Sequence, residues 1–145
     1  MRNRFFVATS LANDPHTEGM HNASKIAALG GIDSAILPPS LDYSAFYDAI
    51  NKHNPKYIGL SYRQNENVAV DELFNVVNYF YSTGLVKPED DIKILFAGLP
   101  KTIQILESKI LELPLKVMLC KNSPNVLERI TETVDFFEIK WEERV

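Results

Sequence analysis

Five times over, this sequence sets a short apolar run in front of a segment with helical periodicity. Phe5-Phe6-Val7-Ala8-Thr9 is continuous, as a strand covered on both faces should be. Residues 20–29 follow with apolar side chains at Met20, Ala23, Ile26, Ala27 and Leu29, and Gly30-Gly31 closes that helix. Ser34-Ala35-Ile36-Leu37 reads as a second strand, ended by Pro38-Pro39. A helix over 43–51 comes next, which Ser40 or Asp42 can cap. Tyr57-Ile58-Gly59-Leu60-Ser61 is a third strand before a helical stripe over 68–81. A fourth strand over 92–97 leads into a helix that Pro100 opens and that runs to about Leu113. The fifth strand spans 115–119. Ser123-Pro124, an N-cap followed by proline, begins a last helix ending near Phe137.

Such alternation implies an α/β fold: a five-stranded parallel sheet with helices on both faces, in the flavodoxin-like (Rossmann-like) order 2-1-3-4-5. No internal repeat, linker or low-complexity segment interrupts it. The reading is one domain over 1–137 and a charged C-terminal tail over 138–145 that carries Trp141. With 46% hydrophobic residues the chain can build a core without staples. Its single cysteine, Cys120, allows no internal disulfide and points to a reducing, cytoplasmic setting. A net charge of -4 argues against a nucleic-acid partner. No apolar run nears the ~20 residues a membrane span needs. The run after Met1-Arg2-Asn3-Arg4 is too short for a signal segment and reads as a strand.

In folds of this order, ligands sit at the carboxyl ends of the strands, where strands 1 and 3 diverge. Two features fall there. Asp14-Pro15-His16-Thr17-Glu18-Gly19, a D-x-H-x-x-G pattern, follows the first strand, and Ser61 ends the third. A carboxylate two residues before a histidine can accept a hydrogen bond from one ring nitrogen. That fixes the tautomer and aims the other nitrogen outward as a metal ligand. Gly19 lets the backbone turn sharply and something bulky approach. Pro15 fixes its own φ and restrains Asp14 toward extended geometry. The plain alternatives are a solvated loop histidine and a serine capping a turn. Arg63 either faces solvent or pairs with a phosphate. His21 and His53 read as helix-surface residues, Asp90-Asp91 as a charged turn, and Cys120 as a space-filler without a histidine partner. No Walker loop, G-x-G-x-x-G, C-x-x-C or G-x-S-x-G is present. A phosphoacceptor receiver domain shares this topology and would use Lys121, but Ser61 stands where its aspartate should be.

The D-x-H-x-x-G spacing and placement resemble the cobalamin-binding domain of cobalamin-dependent mutases and methyltransferases. Three further segments extend the resemblance over most of the chain. Leu37-Pro38-Pro39-Ser40 matches the family's proline-rich turn. Gly59-Leu60-Ser61-Tyr62-Arg63 resembles the strand ending in S-x-L, with Arg63 in the leucine's place. Ala97-Gly98 resembles the family's G-G, with the second glycine kept. Lys121-Asn122-Ser123 departs from its glycine-threonine turn. The resemblance implies a corrinoid held base-off, with His16 as lower ligand to cobalt. Asp14, His16, Gly19, Ser61, Tyr62, Ala97, Gly98 and Ser123 would line the cofactor and its displaced nucleotide tail. It also implies a catalytic partner subunit or domain, a (β/α)₈ barrel, over the upper face of the corrin. Only three residues precede Arg4, which favours an adenosylcobalamin mutase subunit over a methyl-carrying domain with its preceding helical bundle. The reading from a different class is a flavodoxin-like regulatory or interaction domain that has lost cobalamin binding.

Overall fold

The computed structural model describes residues 2–39, 42–121 and 123–140. Its elements run β1 (Asn3–Ser10), α1 (Glu18–Leu29), β2 (Asp33–Ile36), α2 (Ser44–His53), β3 (Pro55–Tyr62), α3 (Glu66–Ser82), β4 (Lys93–Gly98), α4 (Pro100–Lys109), β5 (Val117–Leu119) and α5 (Val126–Phe136). All five strands are parallel in the order β2-β1-β3-β4-β5, as the alternation requires. Register places Ser10 beside Ser61, and Ser61 beside Ala97, at the carboxyl ends of the three central strands.

Period-two alternation divides the strand side chains between two cores. Phe6, Ala8, Tyr57 and Leu95 pack with α1 and α5; Val7, Ile58, Leu60, Ile94 and Phe96 pack beneath α2, α3 and α4. Both faces are therefore covered, which explains why the strands read as continuous apolar runs.

Local chemistry sets the ends. Asn65 caps α3 by accepting from the amides of Asn67 and Val68. Asp42 takes the Ser44 amide at 2.9 Å before α2, whereas Ser40 lies outside the described residues. The last helix departs from the sequence expectation. Its cap is Asn125, which accepts from the Glu128 amide at 3.1 Å, while the Ser123 hydroxyl accepts from the Asn125 amide one turn earlier. Ser and Asn are both good caps, and sequence alone does not say which one stands at the turn. The fourth helix is also shorter than its periodicity suggests. It gives way to a 3₁₀ turn over Ile110–Glu112, because Leu113, ahead of Pro114, is held extended at ψ 145. Packing continues past Phe137. Ile139 is buried against Gly30, and the Tyr57 hydroxyl donates to the Phe137 carbonyl and to Glu138, both at 3.0 Å. Trp141 lies outside the described residues.

Candidate functional site

The loop from β1 to α1 turns at Ala12 and Asn13, both left-handed at φ 50 and φ 59. Gly19 is not the turning residue. It sits in the first turn of α1, and a side chain there would meet nothing within 4 Å. The turn drives Asp14 into the protein, where it is fully buried. One carboxylate oxygen, Oδ2, accepts the Arg63 amide at 2.7 Å. The other, Oδ1, accepts the Gln64 side-chain amide at 2.9 Å and lies 2.6 Å from His16 Nδ1. Burial pushes the Asp14 carboxyl up. The bonds from His16, Arg63 and Gln64 outweigh it and hold the group below its ordinary 3.8. An ionised carboxylate only accepts, so His16 Nδ1 must carry a proton. Nε2 is then left facing outward on a side chain that is 56% exposed. Ser10 completes the loop by donating to the His16 carbonyl at 3.3 Å.

Beside this loop a cavity of about 150 Å³ opens between α1 and α5, over the carboxyl end of the sheet. Gly19, Met20 and Ala23 of α1 form one wall, and Arg129, Glu132 and Thr133 of α5 the other. Its floor is Phe6, Gly59, Ser61, Leu95 and Ala97, with Cys120 closing the β5 end. Gly59 is needed there, because a Cβ would stand 2.8 Å from the Phe6 ring. Ser61 is only 5% exposed, yet its hydroxyl bonds nothing among the described residues. Burial, with the Glu132 carboxylate beside it, pushes the Cys120 thiol up to about 12, although Arg63 pulls the other way.

The sheet separates the residues expected at this site. Asp14, His16, Gly19, Ser61 and Ala97 gather around the loop and cavity. Tyr62 and Gly98 do not, since strand alternation turns them to the other face. Tyr62 is buried in the α2–α3 core, and a Cβ on Gly98 would point at Phe96 and the Tyr62 carbonyl. Ser123 lines a separate hollow with Met118, Leu127 and Thr131. His53 stacks on Phe5 with ring centroids 4.1 Å apart, and His21 is exposed on α1. Ser10, Gln64, Arg129 and Glu132 escaped sequence reasoning. Ser10 ends β1 and Gln64 lies two residues past β3, the one signal available, while Arg129 and Glu132 are ordinary helix residues until α5 is docked.

Among the described residues no three His, Cys, Asp or Glu side chains are grouped to hold a metal ion. Among the same residues, no helix is long and apolar enough to cross a membrane.

Fold and site together define a doubly wound, flavodoxin-like domain with a cavity between α1 and α5 over the carboxyl end of the sheet. Neither a family model nor a curated protein matches the sequence. Solved structures do match the fold. One is a cobalamin-binding protein from Desulfitobacterium hafniense DCB-2, 18% identical with a TM-score of 0.64, covering 91% of this chain and 58% of its own length. Another is the rubredoxin oxygen:oxidoreductase of the anaerobe Desulfovibrio gigas, 11% identical with a TM-score of 0.54, covering 95% of this chain and 35% of its own. The chain thus spans about half or less of each of these neighbours.

Proposed function

We propose that this chain is a cobalamin-binding domain that holds the corrinoid base-off, with His16 Nε2 as lower ligand to cobalt. The observation that carries the reading is the 2.6 Å pairing of His16 Nδ1 with the buried Asp14, which leaves Nε2 exposed at the ligand edge of the sheet. Support comes from the unpartnered Ser61 hydroxyl facing a cavity beside that histidine, and from the fold shared with a protein described as cobalamin-binding. In this reading the nucleotide tail enters the cavity over Ser61 and Ala97. The bound corrinoid supplies the radical chemistry. The residues of this chain do the rest. Asp14 fixes the His16 tautomer, Arg63 and Gln64 hold Asp14, and Met20, Leu95 and Phe6 keep the cavity apolar. Adenosylcobalamin is the expected form and a mutase the expected enzyme, with a separate (β/α)₈ catalytic unit as partner.

Electron paramagnetic resonance of the cob(II)alamin complex, with histidine nitrogen labelled, tests this directly. Splitting from a histidine nitrogen is expected, and its loss in His16→Ala with the fold unchanged. Coordination by the cofactor's own base, or no binding at millimolar cofactor, would overturn it. A regulatory domain without cofactor is the second reading, favoured by Ala97, whose methyl narrows the cavity where the resembling family has glycine. A flat hydroxocobalamin titration would select it.

A further inference from the structure

A cavity of 150 Å³ has the size that takes one benzene-like ring. It cannot also hold a ribose and a phosphate. Those parts of a nucleotide tail would lie at its mouth, between the cavity and the His16 nitrogen. The structure has a separate open groove on that path, lined by His16, Glu18, Gly19, Asn22 and Arg63. Only Gly19 and Arg63 border both the groove and the cavity. The Arg63 amide is tied to Asp14, which fixes the position of its backbone, and its side chain is exposed and makes no ion pair among the described residues. From the opposite wall Arg129 also borders the cavity. One of its nitrogens donates to the Ser123 carbonyl at 2.7 Å, and it too has no carboxylate partner among the described residues. The nearby acid is already engaged, because Glu132 accepts the Lys121 amide at 3.0 and 3.3 Å.

Resting on the cobalamin reading, we propose that Arg63 and Arg129 form an anion subsite at the cavity mouth that clamps the phosphodiester of the nucleotide tail. Guanidinium forks suit phosphate oxygens, and the apolar cavity behind them takes the base ring. The Ser61 hydroxyl, on the cavity floor, is a further polar group placed for that ring. The resembling family's S-x-L motif has leucine where Arg63 stands.

Three corrinoids separate phosphate from base: cobinamide, cobinamide phosphate and complete hydroxocobalamin. Each is titrated by absorbance against the native chain, Arg63→Gln, Arg129→Gln and the double variant. At low salt, cobinamide phosphate should bind the native chain tenfold or more tighter than cobinamide, about the worth of one charge-assisted bond. That ratio should fall toward one in the double variant and shrink in 1 M salt. Arg129→Lys should restore part of it, which separates charge from the turn at Ser123. A ratio near one in the native chain, or one unchanged in the double variant, overturns the clamp while leaving the cobalamin reading intact. If no corrinoid binds, the cobalamin reading falls. The clamp is then decided by calorimetry with α-ribazole 3′-phosphate. Binding that the double variant loses upholds it, and no binding at millimolar concentration overturns it.

Discussion

Replacing Asp14 by asparagine should change which nitrogen of His16 carries the proton. Asp14 Oδ2 accepts the Arg63 amide at 2.7 Å, while Oδ1 serves Gln64 and His16 Nδ1. Asparagine keeps one oxygen. Main-chain amides cannot turn away, and the Arg63 amide at 2.7 Å outcompetes the His16 amide, 3.4 Å from Oδ1, so that oxygen stays with Arg63. The new NH₂ group then stands where Oδ1 stood. Gln64 can rotate its amide to present oxygen. His16 Nδ1 must become an acceptor, which moves the ring proton to Nε2 and blocks the atom that would ligate. Two charge-assisted bonds are weakened and partly replaced, a net cost of about 1–3 kcal/mol. Asp14→Ala leaves the Arg63 and Gln64 donors without an acceptor and should cost more, about 2–5 kcal/mol. His16 itself is more than half exposed but donates to the buried carboxylate, so His16→Ala should cost about 1–2 kcal/mol, less than Asp14→Ala. Long-range proton–nitrogen spectra at pH 8, together with denaturant unfolding, read both effects. Ligand affinity should drop about 10–100-fold in Asp14→Asn. The pH dependence has a definite sign. The folded-state value of Asp14 is depressed, so its contribution is fully present above about 3.9 and is lost as pH falls through the folded value. Acid should remove the carboxylate's part of the stability gap between native chain and Asp14→Asn only below about pH 3.9. An Asp14→Asn variant with the native tautomer and native stability would refute the reasoning.

Two further outcomes follow from the faces of the sheet. Gly98→Val would press on the Phe96 ring at 2.9 Å and the Tyr62 carbonyl oxygen at 3.0 Å, so it should destabilise by about 1–3 kcal/mol. Ala97→Leu should instead melt near the native temperature and lose complete cobalamin by filling the cavity; a Gly98→Val chain of native stability would reverse that division. Cys120, pushed to about 12, should alkylate with iodoacetamide at pH 8 some three orders of magnitude more slowly than a free thiol, as followed by mass spectrometry. Rapid labelling would show the thiol lies outside the closed cavity.

Much of this protein was legible as a string. Continuous apolar runs alternating with helical stripes dictated the parallel sheet and its order, because a strand buried on both faces and a helix buried on one leave different residue patterns. Asp14 and His16 were legible for a similar reason, being two residues apart on one loop. A short-range geometry is largely decided by the backbone between its members, and the structure places them 2.6 Å apart. Gly19 was legible as a position and misread as a turn, since the residues that took left-handed φ were Ala12 and Asn13. Asn13 is of a type that visits that conformation, but nothing in the identity of Ala12 announces it.

Tertiary structure decided everything that depends on which way a strand-end side chain points or on how two helices meet. Ser61 and Tyr62 are neighbours in sequence and lie on opposite faces of the sheet; so do Ala97 and Gly98. A one-residue offset inverts the face, and the register across β1, β3 and β4 is set by pairing between residues 36 to 52 positions apart. Arg63 and Arg129 line one cavity only because α5 docks beside α1. Sequence determined which residues fill the core and which loop carries the histidine. Only the packed chain could bring distant charges to one opening, because that proximity comes from burying the apolar faces of two helices on the same sheet, and neither helix records the other's place.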